Sequence, residues 1–274
     1  MTTTLRPIEP LQHAADGTRS RRFQVCVNSR PVGGIHLSTS PSFGAGVARI
    51  LDLHIDEPDR RRGRGTVAAL AAEEVARGWG CKRVEASVPA EAEAALRAAT
   101  ALGYVVRNRQ MGKTLDSTPP QLPDGSRGRA LTPAEFDDWQ EHQKAAYAES
   151  WISTGVPEAQ AWAKAEKDYA TLLPDGAVTD GMILSVLEHE GARVGTVWVG
   201  AREDRAFVYD VETDVRHRGQ GHGRTLMLLA EAQSLAAGWT GIRLNVFAGN
   251  VPAERLYESL GYETLTYHLS KDLL

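Results

Sequence analysis

The sequence predicts an α/β (α+β) protein built from two similar domains in tandem. Three observations carry that expectation. The pattern Arg-x-x-Gly-x-Gly occurs at Arg60–Gly65 and again at Arg218–Gly223, an offset of 158 (218 − 60). The offset then runs on without a gap. From His54/Glu212 to Leu115/Leu273, 17 of 62 aligned pairs are identical, among them Gly80/Gly238, Leu102-Gly103-Tyr104/Leu260-Gly261-Tyr262 and Lys113/Lys271. So long a period describes two copies of one domain, not a solenoid. Finally, each glycine pattern sits between a run that alternates in the manner of a strand and one that reads as a helix.

Composition bounds the rest. A chain of 274 residues has room for two ordinary domains, and 42% hydrophobic with 24% charged residues is the balance of a soluble globular protein. A net charge of −4 gives no general attraction to nucleic acid, so any anion site must be built locally. Cys26 and Cys81, both in the first half and outside any C-x-x-C, predict neither a disulfide framework nor a metal site. Met1–Pro10 lacks the apolar core of a signal peptide, and no run approaches the roughly 18 apolar residues that span a bilayer. A cytoplasmic protein with no membrane or nucleic-acid partner is expected.

The first copy spans residues 1–116. It opens with a hairpin, Arg22–Val27 and Val32–Thr39, followed by strand Arg49–Ile55 and the glycine turn. Asp116–Ser126 carries three prolines and no apolar period, which reads as a linker over 117–126. The second copy, 127–274, starts a helix at Thr132-Pro133, with Thr as cap and Pro at the first helical position. A second helix follows Pro157. Strands Met182–Glu188 and Arg193–Gly200 turn at Glu190-Gly191, and Phe207–Asp214 leads into the second glycine turn. Helix 223–237, strand Ile242–Phe247, helix Pro252–Leu260 and a strand near Thr264–Leu269 complete it. The sixteen or so residues between Leu5 and Arg22 leave no room in the first copy for the two front helices of the second.

A strand that ends in Arg-x-x-Gly-x-Gly and opens a helix can hold a pyrophosphate. Glycines 221 and 223 let backbone approach a ligand, first-turn N–H groups point outward unpaired, and the helix terminus and Arg218 add positive charge. The same residues also suit a tight turn with no ligand. A dinucleotide fold would need a parallel unit before the glycines, whereas here an antiparallel meander precedes them.

Together with the tail Asn250-x-x-Ala253-x-x-x-Tyr257-x-x-x-Gly261-Tyr262, strand 207–214 and the turn at 218–223 resemble motifs A and B of the GNAT superfamily of acyl-CoA-dependent N-acyltransferases. The likeness covers the whole second copy and, in the first, residues 22 to 115 or so. It implies two GNAT folds in tandem, each a mixed, mostly antiparallel sheet that splays after its fourth strand and is flanked by helices. Acetyl-CoA would lie in that V as acyl donor to an amine, with no metal. Its pyrophosphate would meet Arg218, Gly219, Gln220, Gly221, His222, Gly223 and Arg224, and its pantetheine would run along Val211 and Thr213.

Under the same resemblance Tyr257 is the acid for the departing thiolate and Asn250 bonds the pantetheine amide; a half-buried core tyrosine and a helix cap are the structural alternatives. Glu212, or else Asp210, is the candidate base, since period-two alternation puts Asp210, Glu212 and Asp214 on one face unless a bulge intervenes. A water-relayed path needs neither. The N–H of Val211 would polarise the thioester carbonyl. In the first copy Asn250 and Tyr257 become Ala92 and Ala99, so the expectation is one catalytic domain and one degenerate copy. Whether Arg60, Gly63 and Gly65 still hold CoA stays open, as does a scaffold that binds CoA without catalysis. Tyr147 and Trp151, near the connection of the front helices, would line the acceptor site.

Overall fold

The computed structural model describes residues 3–40, 44–153 and 155–273. Its chain divides into two compact units, Met1–Asn108 with Thr266–Leu274, and Arg109–Leu265.

In the first unit, β1 (Thr3–Pro7), β2 (Gln12–His13), β3 (Arg19–Val27), β4 (Arg30–Ser40) and β5 (Gly44–Ile55) form an antiparallel meander. After the first glycine turn come α1 (Arg64–Gly78), β6 (Arg83–Pro89) and α2 (Glu93–Ala101). Strand β6 is parallel to β5, but only from Val47↔Arg83 to Ile50↔Ala86. Strand positions of alternate parity, such as Phe23, Val25, Ile35 and Leu37, pack on Ala68, Ala72 and Ala76 of α1. Small helix residues let the helix lie close to the sheet. No helix precedes β5 among the described residues. The two front helices are missing here, as the short N-terminal stretch predicts.

The second unit has β8 (Ser126–Ala130), α3 (Pro133–Ser153), α4 (Glu158–Leu172), β9 (Met182–His189), β10 (Ala192–Arg202) and β11 (Arg205–Thr213), then α5 (His222–Ala236), β12 (Gly241–Phe247) and α6 (Val251–Ser259). Thr132 precedes α3, and Glu135 three residues on accepts from the Thr132 N–H at 3.0 Å and from its hydroxyl at 2.7 Å, the glutamate arm of a capping box. Glu190 (φ 50°) and Gly191 (φ 80°) make the two-residue turn between β9 and β10. Helix α5 covers one face of the sheet through Leu226, Met227 and Ala230. Phe136, Trp139 and Tyr169 of α3 and α4 cover the other, around Trp198. Strands β11 and β12 are parallel only from Ala206↔Ile242 to Val208↔Leu244. Beyond that point each goes its own way.

The last strand of each copy lies in the other copy's unit. Strand β13 (Glu263–Asp272) ends in the first unit, where Thr266–Asp272 pairs antiparallel with β6. Strand β7 (Val105–Thr114) passes into the second unit from Arg109, beside β12. Each exchanged strand brings one lysine to a buried glutamate. Lys271 Nζ lies 2.7 Å from Glu73, and Lys113 Nζ 3.0 Å from Glu231. The two pairs are related by the 158-residue offset.

Among the described residues no helix is long and apolar enough to cross a membrane. Cys26 and Cys81 are buried free thiols.

Candidate active site

The register of β10 on β11 slips by one residue. Trp198 faces Asp210 while Val199 faces Val208, so Tyr209 is the extra residue of a bulge. Such an insertion changes which side chains share a face. Val208 and Val211 pack toward α5, whereas Tyr209 stacks on Trp198 at 4.7 Å. The bulge comes before Asp210, so Asp210 and Glu212 keep their common face, the one under α3 and α4. The first copy has the same slip: His36 faces Asp52 and Leu37 faces Ile50, leaving out Leu51, 158 residues before Tyr209.

The two carboxylates are treated differently. Glu212 accepts from His142 Nε2 at 2.8 Å and Gln143 Nε2 at 3.0 Å, with Arg218 at 3.5 Å. Asp210 has a buried Oδ2 with no hydrogen-bond partner. Burial first, then the charge of Glu212, raises its pKa to about 7, against the pull of the Val211 N–H. Tyr169 of α4 and Tyr257 of α6 both lie within the field of Asp210, and both hydroxyls are pushed up, by burial first. Three elements, α4, β11 and α6, therefore bring Tyr169, Asp210, Glu212 and Tyr257 to the point where β11 and β12 part.

Tyr257 is buried and packs on Tyr262 at 6.0 Å. Asn250 caps α6: its Oδ1 accepts from the Ala253 N–H at 3.3 Å. That use of the oxygen leaves the two amide donors for other work.

At the second glycine turn, Gly219 (φ 77°) and Gly221 (φ 87°) hold left-handed backbone. Gly221 is the cap position of α5, and no side chain caps that helix. A Cβ built on Gly221 meets no atom within 4 Å, so the turn faces open space with its first-turn donors uncapped. A Cβ at Gly223 would instead meet Leu256 at 3.3 Å, so this glycine serves packing of α5 on α6. Arg218 turns back, its Nε donating to the Thr213 carbonyl at 3.2 Å. Arg60 does the same to Ile55 at 2.8 Å in the first copy. Both arginines pin the turn to the strand that precedes it. Gln220 bonds the Arg216 carbonyl, and the Arg224 side chain reaches Ser259. His222 is buried beside His189 and His217, and burial with those neighbours lowers its pKa. Among the described residues no group of three or more His, Cys, Asp or Glu is arranged to hold a metal.

The first copy keeps the turn's backbone and little of the chemistry. Gly63 (φ 71°) caps α1, but Arg61 takes the left-handed position that Gly219 holds in the second. Asp52, at the place of Asp210, is exposed and paired with His54 at 2.9 Å. Ala92 begins α2 without a side-chain cap, and Ala99 packs into the core. Asp59 and Arg64, both buried, pair beneath the turn, with Arg30 on Asp59 at 2.7 Å.

Of the front aromatics, Trp139 and Tyr169 are buried and Trp162 is 39% exposed. Tyr147 and Trp151 meet edge to face at 6.0 Å, and Trp151 meets Phe247 at the end of β12 at 5.4 Å. His142, Gln143 and Tyr169 are the residues that sequence reasoning missed. No local signal marks them, because their partners on β11 lie about 40 to 70 positions away.

The family model for the Acetyltransferase (GNAT) family matches residues 3–104 and again 136–262. The chain belongs to this family. It is a GNAT-type acyltransferase, with two matched domains. A mycothiol acetyltransferase of Thermomonospora curvata is 31% identical over 253 residues, 89% of this chain and 79% of that one. A second, from Brachybacterium faecium, is 30% identical over 76% of this chain and 63% of its own length. Among solved structures, a tandem GNAT protein from the clavulanic acid biosynthesis pathway shares the fold at a TM-score of 0.52, with 20% identity, 96% of this chain and 85% of that one covered. A GCN5-related N-acetyltransferase from Sphaerobacter thermophilus does so at 0.56, with 19% identity over 92% and 80% of the two chains.

Proposed function

We propose that the second copy moves an acetyl group from acetyl-CoA to a primary amine by direct transfer. The observation that carries this reading is the buried Oδ2 of Asp210, without a hydrogen-bond partner and within the field of Tyr257, where β11 and β12 separate. Bound acetyl-CoA supplies a thioester with a good leaving group. The open, uncapped turn at Gly219–Arg224 fits its pyrophosphate, and the free edge of β11 from Val211 to Thr213 fits its pantetheine. The two amide donors of Asn250 suit a pantetheine carbonyl.

An ammonium has no lone pair, so the amine must lose a proton before it attacks. Asp210, with a pKa of about 7, is ionised often enough near neutrality to take that proton and basic enough to keep it. Glu212, tied to His142 and Gln143, holds a negative charge beside Asp210 and keeps its pKa up. The base is therefore Asp210, with Glu212 as its neighbour in support. Tyr257, held neutral by burial, can donate to the departing thiolate. At the places of Asp210 and Tyr257 the first copy has Asp52, exposed and paired with His54, and Ala99, and it acts as a non-catalytic partner domain.

The test is an amine panel with acetyl-CoA read by thiol release, the acceptor of the mycothiol acetyltransferases among its members. Release that depends on an amine and is lost in Asp210→Asn bears the reading out. Amine-dependent release at the wild-type rate in a folded Asp210→Asn protein refutes Asp210 as the base, and wild-type protein that releases no thiol with any amine refutes the transfer.

A further inference from the structure

A cleft of about 620 Å³ runs under the N-terminal half of α3, over β10 and β11. Glu212, two residues from Asp210 on the same face of β11, lines it together with His142 and Gln143. Most charges on its walls are already matched. Glu135 is held by Arg129 at 2.8 Å, Asp214 lies 3.6 Å from Arg193, and Glu212 has the partners given above. Two full charges are left over. Asp138 on α3 and Arg216, just before the glycine turn, line the cleft without a hydrogen-bond or ion-pair partner for their side chains among the described residues. His217, beside Arg216, adds ring nitrogens to the same wall. The first copy differs, with Pro58 at the place of Arg216, His54 at that of Glu212 and, among the described residues, no helix before β5.

We propose that this cleft is the acceptor site and that the acceptor is an amine carrying an anionic group, of the amino-acid class. Its ammonium lies between Asp138 and Glu212 and its carboxylate on Arg216 and His217. One anionic and one cationic wall, both unmatched, complement a ligand with one charge of each sign. The orientation turns the amine toward Asp210, which takes its proton. The inference rests on the acetyl-transfer reading for the chemistry, but the binding site can be tested apart from it.

The test compares L-leucine with L-leucinamide, first as ligands by calorimetry and then as acceptors by thiol release. The amide's amine loses its proton more readily, so chemistry alone favours the amide and a preference for the acid reports recognition. Expected in the wild type is at least tenfold tighter binding of leucine, with the same order in kcat/KM. Arg216→Gln should erase that preference and leave acetyl-CoA affinity unchanged. Asp138→Asn should weaken both ligands alike, because both carry the ammonium. These two side chains are exposed, so neither change endangers folding, and circular dichroism checks it. Equal binding of acid and amide, no binding of either at millimolar concentration, or an Arg216→Gln variant that loses acetyl-CoA affinity instead would overturn the assignment. If leucine binds as expected but no amine releases the thiol from acetyl-CoA, the acetyl-transfer reading fails and the site stands.

Discussion

Asp210 and Glu212 differ by one turn of the pleat and by their whole environment, and that difference sets how the rate should respond to pH. A base with a pKa of about 7 makes kcat/KM rise with pH through about 7 and level off above. The charge of Glu212 is one cause of that value, so Glu212→Gln should move the acidic limb to lower pH and leave a functioning enzyme. If Glu212→Gln still binds the acceptor by calorimetry and yet is dead across the range, Glu212 and not Asp210 is the base. Stability should move the other way. A carboxyl whose folded pKa lies above its unfolded value of 3.8 binds more protons in the folded state. The native state therefore loses stability as pH climbs from about 4 to about 7. Asp210→Asn removes that loss, so its melting temperature should exceed the wild type's by on the order of a few degrees at pH 8. The gain should vanish near pH 4, and thermal scans at the two pH values check it. Tyr257→Phe should lower kcat about tenfold or more while acetyl-CoA affinity holds, since it removes a proton donor and little bulk. Wild-type turnover would make the tyrosine structural. Alternation along β11 is enough to see that Asp210 and Glu212 share a face. The hold of His142 and Gln143 on Glu212 comes from tertiary packing across some 70 residues and leaves no local trace.

The glycine turns test the elements. Gly221 stands at φ 87° before open space, so Gly221→Val both strains the backbone and fills the ligand's approach. A loss of acetyl-CoA affinity of more than tenfold by calorimetry is expected in the folded variant. Gly63→Val with Gly65→Val in the first copy should spare catalysis apart from lost stability. An inactive first-copy variant that circular dichroism shows to be folded would move the active site to the other domain. Most elements were readable from sequence to within two or three residues, because apolar period and turn residues agree. Strand β8 was not. Ser126–Ala130 reads Ser-Arg-Gly-Arg-Ala, with no apolar alternation, and becomes a strand because β9 offers it an edge.

The duplication itself was legible in the sequence, but not what the copies do with their last strands. A repeat offset says which residues correspond, not which unit they join. Lys113 and Lys271 correspond by sequence, yet each neutralises a glutamate of the other copy, Glu231 and Glu73, both almost fully buried. A chain cut between residues 117 and 125 would give two fragments, each holding a strand that belongs to the other unit. The C-terminal fragment would lack Lys113 and leave Glu231 buried without its cation, a change that costs about 3–5 kcal/mol. It would also expose β12 as an unpaired edge, an invitation to aggregate. Though it keeps Asp210, Glu212, Tyr257 and the whole turn, the fragment alone is expected to be insoluble or inactive. Co-expression with the N-terminal fragment, which brings β7, should restore thiol release. A C-terminal fragment that is monodisperse and fully active by itself would mean that the exchanged strand is dispensable and that the second copy folds on its own residues.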